Sequence, residues 1–375
     1  MAFAHRSWVE VSLGQIAQNF EAVRGVVGDA VEVMPVVKAD AYRHGAVEVS
    51  RRLIAHGARW LAVSSVEEGV LLRDAGIVSR ILVMADFLPA ERPALLDYNL
   101  TPVVHCLADI AAWDQAASAR GVDAPYHLKI DTGLGRLGTR ESAGEIARCV
   151  MAAKAARIEG LMTHFASSGN YSSPQTAEQA ARFSAICGEL ARSGIAPAYV
   201  HSSSTIPVAY GRRDTWQKMV RPGHAIYGYV SPARGAAPPR LLDVAPALTW
   251  KAAILAVKDI PQGALVGYGG MFRTPAPMRI AVLAAGYADG IPHRLSNKGR
   301  VIAAGKFAPI LGSVSMDLTT IDITASPQLR VGDFVIFLGK EGGIGIDAQE
   351  IAKTAGTISY SVLCGISARV KRVYV

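Results

Sequence analysis

Two hydrophobic periods alternate through the first two thirds of this 375-residue chain. Short runs rich in Val, Ile and Leu recur between longer stretches whose apolar residues return every three or four positions. The runs predict strands near 31–37, 60–64, 81–84, 101–104, 126–130, 158–163, 198–202 and 219–227. The stretches between them predict helices, among them 67–75, 110–119 and 175–193, the last closed by Gly194. The first helix has the clearest start. Ser12 and Gln15 fit a capping box, and Leu13, Ile16, Phe20, Val23 and Val27 share one face. Continuous apolar strands separated by helices imply a parallel sheet covered on its outer face. Eight of them in about 200 residues predict an α/β fold, a (β/α)8 TIM-like barrel, with an open doubly wound sheet as the competing arrangement.

The pattern changes after "SPARGAAPPR", residues 231–240. From Ala247 the chain reads as strands and turns: "LTWKAAILAVKDI", "MRIAVLAAGY", "GRVIAAG", "APILGSVSMDLTTIDI", "DFVIFLG". One short helix follows, with Asp347 and Glu350 as a capping box and Gly356 as its end, and "RVKRVYV" closes as a strand. Two domains are therefore expected, a barrel over 1–240 and a mostly β domain over 241–375.

Composition narrows the functional classes. Half of the residues are apolar, the formal charge is +8 and the pI about 9.3. Lys and Arg are spread along the chain, so no nucleic-acid arm is expected, whereas a small anionic ligand is compatible. Cys106, Cys149, Cys187 and Cys364 are far apart and form no CxxC pair. That spacing speaks against a disulfide frame and a zinc knuckle, and for a reducing cytoplasm; no metal is expected. "MAFAHRSWVEVSL" lacks the apolar core of a secretion signal, and no apolar run is long enough to span a bilayer.

Barrel chemistry sits at the C-terminal ends of the strands. There the sequence puts Lys38, Asp40 and Tyr42; then Lys129, Asp131 and Arg136; then His164; then the hydroxyls of "HSSST" at 201–205; then Arg221 and Gly223. Hydroxyls and amides at the last two strand ends suit a phosphate. A lysine amine beside them suggests a Schiff base to pyridoxal 5'-phosphate. Sugar-phosphate aldolases use the same parts, and strand ends alone leave both open.

The segments "VVKADAYRHG", "KIDTGLGRLG", "MTHFASS", "MVRPGHAIYG", "VGYGGMF", "AAGYADGIPHR", "GSVSMDLTTID" and "ISYSVLC" occur in the order found in alanine racemases. The chain resembles that family over nearly its whole length. The resemblance implies a homodimeric, pyridoxal-phosphate-dependent enzyme that interconverts L- and D-alanine, supplying D-alanine for peptidoglycan. It also implies that residues 1–11 pack as a strand with the C-terminal domain. Lys38 matches the lysine that holds the cofactor as a Schiff base and serves as one of two bases at Cα. Tyr268 matches the opposite base, contributed by the partner subunit. A racemase needs two such groups because one face of a planar carbanion loses the proton and the other regains it.

The resemblance extends to the surrounding residues. His164 and Arg221 match a hydrogen-bond chain that helps a tyrosine act as a base. Arg221 also matches the arginine on the pyridine nitrogen. A guanidinium scarcely yields its proton, so the ring stays a weaker electron sink than one paired with a carboxylate, as in barrel-type decarboxylases. Tyr42, Tyr360, Ser204, Thr205, Gly223 and His224 match the phosphate cradle. Arg136 matches a contact to the cofactor phenolic oxygen and the substrate carboxylate. Lys129 matches a lysine often carbamylated in the family; pairing with Asp131 is the alternative. Met316, Asp317 and Tyr287 match residues along the substrate's approach. Arg43, Ser204 with Thr205, His224, Leu318 and Ser361 depart from the usual pattern, which leaves serine or broad-spectrum racemisation open. A decarboxylase is disfavoured by Arg221, and a cofactor carrier by the C-terminal domain.

Overall fold

The computed structural model of the chain describes residues 5–85 and 87–375. They form two compact units. One comprises Gln15–Ala41 and Ala46–Ala245; the other comprises the segment ending at Gly14, Tyr42–Gly45 and Pro246–Val375.

The first unit is a parallel barrel. Trp60–Val63, Arg80–Val83, Thr101–Val104, Ala124–Lys129, Ala156–Met162 and Tyr199–His201 pair in sequence order, and Glu32–Val33 pairs with Met219–Val220. Val37 N donates to Ala62 O at 2.8 Å, Lys218 N to Val200 O at 3.2 Å and Arg221 N to Ser203 O at 2.9 Å. These bonds join the pair to both edges of the six-stranded sheet, so eight strands close into a ring, as the periodicity predicts. Two strands are shorter than expected. Pro35 interrupts the first, leaving Val36 as an isolated bridge to Ala62; Pro222 ends the last, and His224–Tyr227 is a 3-10 turn. Proline has no N–H to offer a ladder. The helices bury the faces their periodicity marks. Leu13–Val27 buries Ile16, Phe20, Val23 and Val27, and Leu107–Arg120 buries Ile110, Trp113 and Ala117 before Gly121 ends it at φ +66°. Leaving any one such large apolar side chain in water instead would cost about 1.5–3 kcal/mol.

The second unit is built on one long strand, Leu248–Ile260. It pairs antiparallel with Ser7–Val11, Met278–Leu283 and Phe334–Glu341, and Ser7–Val11 runs parallel to Lys371–Tyr374. Its first half alternates buried and half-buried residues, as a one-sided sheet requires. Ala348–Ala355 starts at Asp347, whose carboxylate accepts from Gln349 N and Glu350 N. The expected reciprocal bond from Glu350 does not form, because Arg300 holds its carboxylate at 2.9 Å. A second short helix, Ser359–Gly365, occupies the "ISYSVLC" segment. Among the described residues no helix is long and apolar enough to cross a membrane.

Candidate functional site

Lys38 ends the first barrel strand and opens a turn of unusual hand. Ala39, Asp40, Ala41, Tyr42 and Arg43 have φ of +52°, +55°, +53°, +53° and +66°. Five consecutive L-residues in the left-handed helical region cost roughly 5–10 kcal/mol, at about 1–2 kcal/mol each. Anchors in each unit hold the turn. In the barrel unit, Ala41 N donates to Val37 O, Ala39 N to Glu68 Oε1 at 2.6 Å and Ala46 N to Asp40 Oδ1 at 2.8 Å. In the second unit, Arg43 Nε donates to Cys364 O at 3.3 Å, and Arg372 Nε to Arg43 O at 3.2 Å. Arg43, unaccounted for in sequence, is thus a strained position whose side chain and carbonyl are both tied down. The Lys38 side chain is half-buried and forms no hydrogen bond or ion pair among the described residues.

Four cations gather around His164: Arg221, Lys129, Arg136 and Lys38, after burial, all disfavour its protonation, and its imidazole is held down to about 3. It is neutral at physiological pH. Arg221 Nη2 donates to His164 Nδ1 at 3.3 Å, to Thr163 O at 2.8 Å and to Ser202 O at 3.2 Å. Arginine only donates, so His164 accepts at Nδ1 and carries its proton on Nε2. Arg221 is buried, and burial lowers its guanidinium to about 9, still cationic at neutral pH. Its Nη1 donates to His201 Nδ1 at 2.7 Å. Sequence reasoning took "HSSST" for its hydroxyls and missed His201. Its strand, one position past Val200, was the available signal. Gln179 fixes the His164 loop, accepting from Ala166 N and donating to His164 O.

Lys129 is buried, and burial, then Arg136 and Arg221, push its amine down to about 8. Asp131 does not pair with it. Its Oδ1 accepts from the amides of Gly133, Leu134 and Gly135, and Arg140 takes Oδ2 at 2.8 Å. Burial alone would raise the Asp131 carboxyl, but these donors hold it down to about 2. The loop so anchored presents Arg136 to solvent. Thr205 Oγ1 accepts from Gly223 N and Ala225 N at 3.2 Å each, tying two predicted anion-binding segments together. Ser204 precedes the short helix Thr205–Ala209 and is half-buried. His224 is buried and stacks on Tyr229, with centroids 5.1 Å apart.

In the second unit, Tyr42 and Tyr360 lie with ring centroids 6.0 Å apart. Burial, then Tyr360 and Cys364, push the Tyr42 hydroxyl up, so it is a neutral donor. Tyr268 tips the Leu265–Val266 and Phe272–Arg273 hairpin and is 77% exposed. Its turn uses Gly267 at φ +77°, where a Cβ would press on Ser313 N. The predicted approach residues are brought together: Tyr287 N donates to Ser315 O at 3.0 Å and Ala288 N to Met316 O at 2.9 Å. Arg369, missed in sequence, clamps Asp289 and Asp317 at 2.7 Å each.

Two family models match the chain. "Alanine racemase, N-terminal domain" covers residues 11–232 and "Alanine racemase, C-terminal domain" covers 247–374. An alanine racemase of Halothermothrix orenii is 39% identical over 370 residues, spanning 98% of this chain and 96% of that protein. The structure of the alanine racemase from Streptomyces lavendulae, a producer of D-cycloserine, superposes with a TM-score of 0.92 at 31% identity, covering 100% of this chain and 98% of that one. The alanine racemase of Bartonella henselae, with covalently bound pyridoxal phosphate, matches at TM-score 0.86 and 26% identity over 99% of each chain.

Proposed function

The chain belongs to the alanine racemase family, and we propose on that premise that it interconverts L- and D-alanine with pyridoxal 5'-phosphate, supplying D-alanine for peptidoglycan in the cytoplasm. The observation that carries this is the Arg221–His164 pair beside a partnerless Lys38. The donor set suits the cofactor. Lys38 offers an amine for its aldehyde, Arg221 a donor for its ring nitrogen, and Thr205 and Gly223 suit its phosphate, for which the resemblance also expects the Tyr42 and Tyr360 hydroxyls. When bound, the cofactor supplies an electron sink that acidifies the substrate Cα–H. Arg221 keeps that sink modest, because a guanidinium does not hand its proton to the ring nitrogen. Ser204 and His224 complete the cradle.

Lys38 holds and moves the proton on one face of Cα, and Tyr268 of a second copy does so on the other. His164, with its proton on Nε2, stabilises the tyrosine as its phenolate by hydrogen bonding, and Arg221 holds His164 in that tautomer. Arg136 binds the substrate carboxylate, and Met316, Asp317 and Tyr287 line its approach. We propose a homodimer with shared sites. The exposure of Tyr268, Met271 and Met316, at 77, 56 and 54%, supports this, since large apolar side chains left in water suit an interaction face. Lys129 with an amine near 8 is partly neutral at physiological pH, as attack on CO2 requires. Its nitrogen bonds to the carbon, releases a proton, and gains the negative charge that Arg136 and Arg221 call for. The free thiols of all four cysteines are compatible with a reducing compartment.

The test is chiral chromatography of L-amino acids incubated with the yellow holoenzyme, together with borohydride reduction. D-Alanine and a label fixed on Lys38 are expected. Decarboxylation alone, or a label elsewhere, would overturn the proposal.

A further inference from the structure

The polar chain in the barrel unit continues beyond Arg221. His201, which accepts from Arg221 at Nδ1, has its Nε2 2.7 Å from His127 Nδ1. His127 Nε2 has no hydrogen-bond partner and faces Glu159 Oε2 at 3.9 Å. Glu159 is gripped by Arg80 through bonds of 2.6 and 2.5 Å, and the Arg80 guanidinium lies 4.0 Å over the Trp60 ring. Both histidines are 0% exposed.

Only one arrangement of protons satisfies this chain. Arg221 donates, so His201 accepts at Nδ1 and carries its proton on Nε2. That proton points at His127 Nδ1, which therefore accepts, leaving the His127 proton on Nε2 and aimed at the carboxylate. The reverse order would set an N–H of His201 against an N–H of Arg221. Doubly protonated rings are disfavoured as well. Burial, then Arg80 and Arg221, hold His127 down to about 3, and burial, then Arg221 and His127, hold His201 well below its ordinary value.

The backbone makes room for the chain. A Cβ on Gly160 would overlap the His127 ring, and the register of Ala124–Lys129 against Ala156–Met162 shifts between Tyr126 and His127. The His127 ring stacks on Tyr199, with centroids 6.0 Å apart, and meets the edge of Trp60 at 5.4 Å. Trp60, Arg80 and Tyr199 each begin a barrel strand, so Glu159 lies toward the end of the barrel away from the mouth.

We propose that Glu159 is a remote positioning residue whose carboxylate locks the Nε2–H tautomers of His127 and His201, and so holds Arg221 in the orientation its site uses. The proposal rests on the role of Arg221 given above. Without the carboxylate, the buried Nε2–H of His127 faces nothing that favours it, and the other tautomer, which disrupts the bond to His201, gains population.

The test uses holoenzyme labelled with 15N-histidine. Both His127 and His201 are expected as Nε2–H tautomers in the unaltered protein. Glu159→Gln is expected to shift the His127 signal and lower kcat about tenfold with KM unchanged, and Glu159→Asp to restore most of the loss. An Nδ1–H tautomer of either histidine in the unaltered protein overturns the proposal. So does a Glu159→Gln enzyme whose spectrum or kcat is unchanged. If Glu159→Gln does not fold, the unaltered spectrum decides the tautomers, and Arg80→Met, which frees the Glu159 carboxylate, supplies the kinetic arm. The Arg221 assignment fails separately: Arg221→Lys would then keep full activity while the histidine tautomers stay as proposed.

Discussion

At the barrel mouth, Arg221, His164 and Asp131 each find their partners within their own unit. The hairpin of the second unit is built the other way. Its backbone is tightly determined at Gly267, yet Tyr268 stands 77% exposed, with Met271 and Leu265 beside it in sequence at 56 and 59%. A buried guanidinium needs partners before the chain can fold, because an unpaired buried charge is costly. A tyrosine on a rigid tip needs none, and remains available to a second surface. On the proposed function, the difference separates residues that hold the site from the residue that a second copy delivers to it.

The largest expected effect tests that division. Lys38→Ala and Tyr268→Phe should each lower kcat by about 10³-fold or more, as loss of a positioned acid–base group does. Mixed and allowed to exchange, the two inactive proteins should recover about a quarter of the normal activity, since half the dimers are mixed and each then keeps one of two sites. No recovery, with subunit exchange verified, would break the division.

Gly160→Ala strikes the barrel interior instead. Its methyl group displaces His127, and a loss of about 1–3 kcal/mol in urea unfolding is expected, with no change in the dimer. Stability equal to the parent would show that the interior gives way more easily than its packing indicates. Lys129 offers a pH signature. Its amine is lowered in the fold, so between about 8 and its ordinary 10.5 the unfolded chain holds a proton that the folded chain does not. Stability should therefore rise with pH across that window if the amine is free. In Lys129→Met, or in a carbamylated protein heavier by about 44 Da, the mass of one CO2, the rise should be absent.

The smallest effect concerns the left-handed turn. Arg43→Gly and Arg43→Ala both lose the bond to Cys364, but only alanine keeps a Cβ at φ +66°. The glycine variant should be the more stable by about 1 kcal/mol in thermal unfolding. Equal stabilities would mean that the anchors, not the local strain, set the cost.

Much of this was legible in the order of residues. Hydrophobic period alone marked eight strands, because strands buried on both faces must be apolar throughout. Lys38, His164 and Arg221 could be placed at strand ends because barrel topology puts successive strand ends on one rim. His201 and His127 were not legible as a pair. They lie 74 residues apart and meet only across the barrel interior, and a lone histidine in an apolar strand carries no mark of its partner. The alternative pairing of Lys129 with Asp131 could not be weighed from sequence, since the three amides that claim the carboxylate are brought to it only by the turn of its own loop.

The sequence by itself determined the barrel, the β-rich second unit and the family, and nominated the side chains proposed to react, because periodicity and motif order are local properties of the chain. Only the tertiary structure decided that Arg221, His201 and His127 lie in one polar chain, that the Lys38 side chain is left without a partner among the described residues, and that the turn after it is left-handed. Those are matters of direction and of missing neighbours, and both arise only when residues distant in the chain are brought within hydrogen-bonding reach.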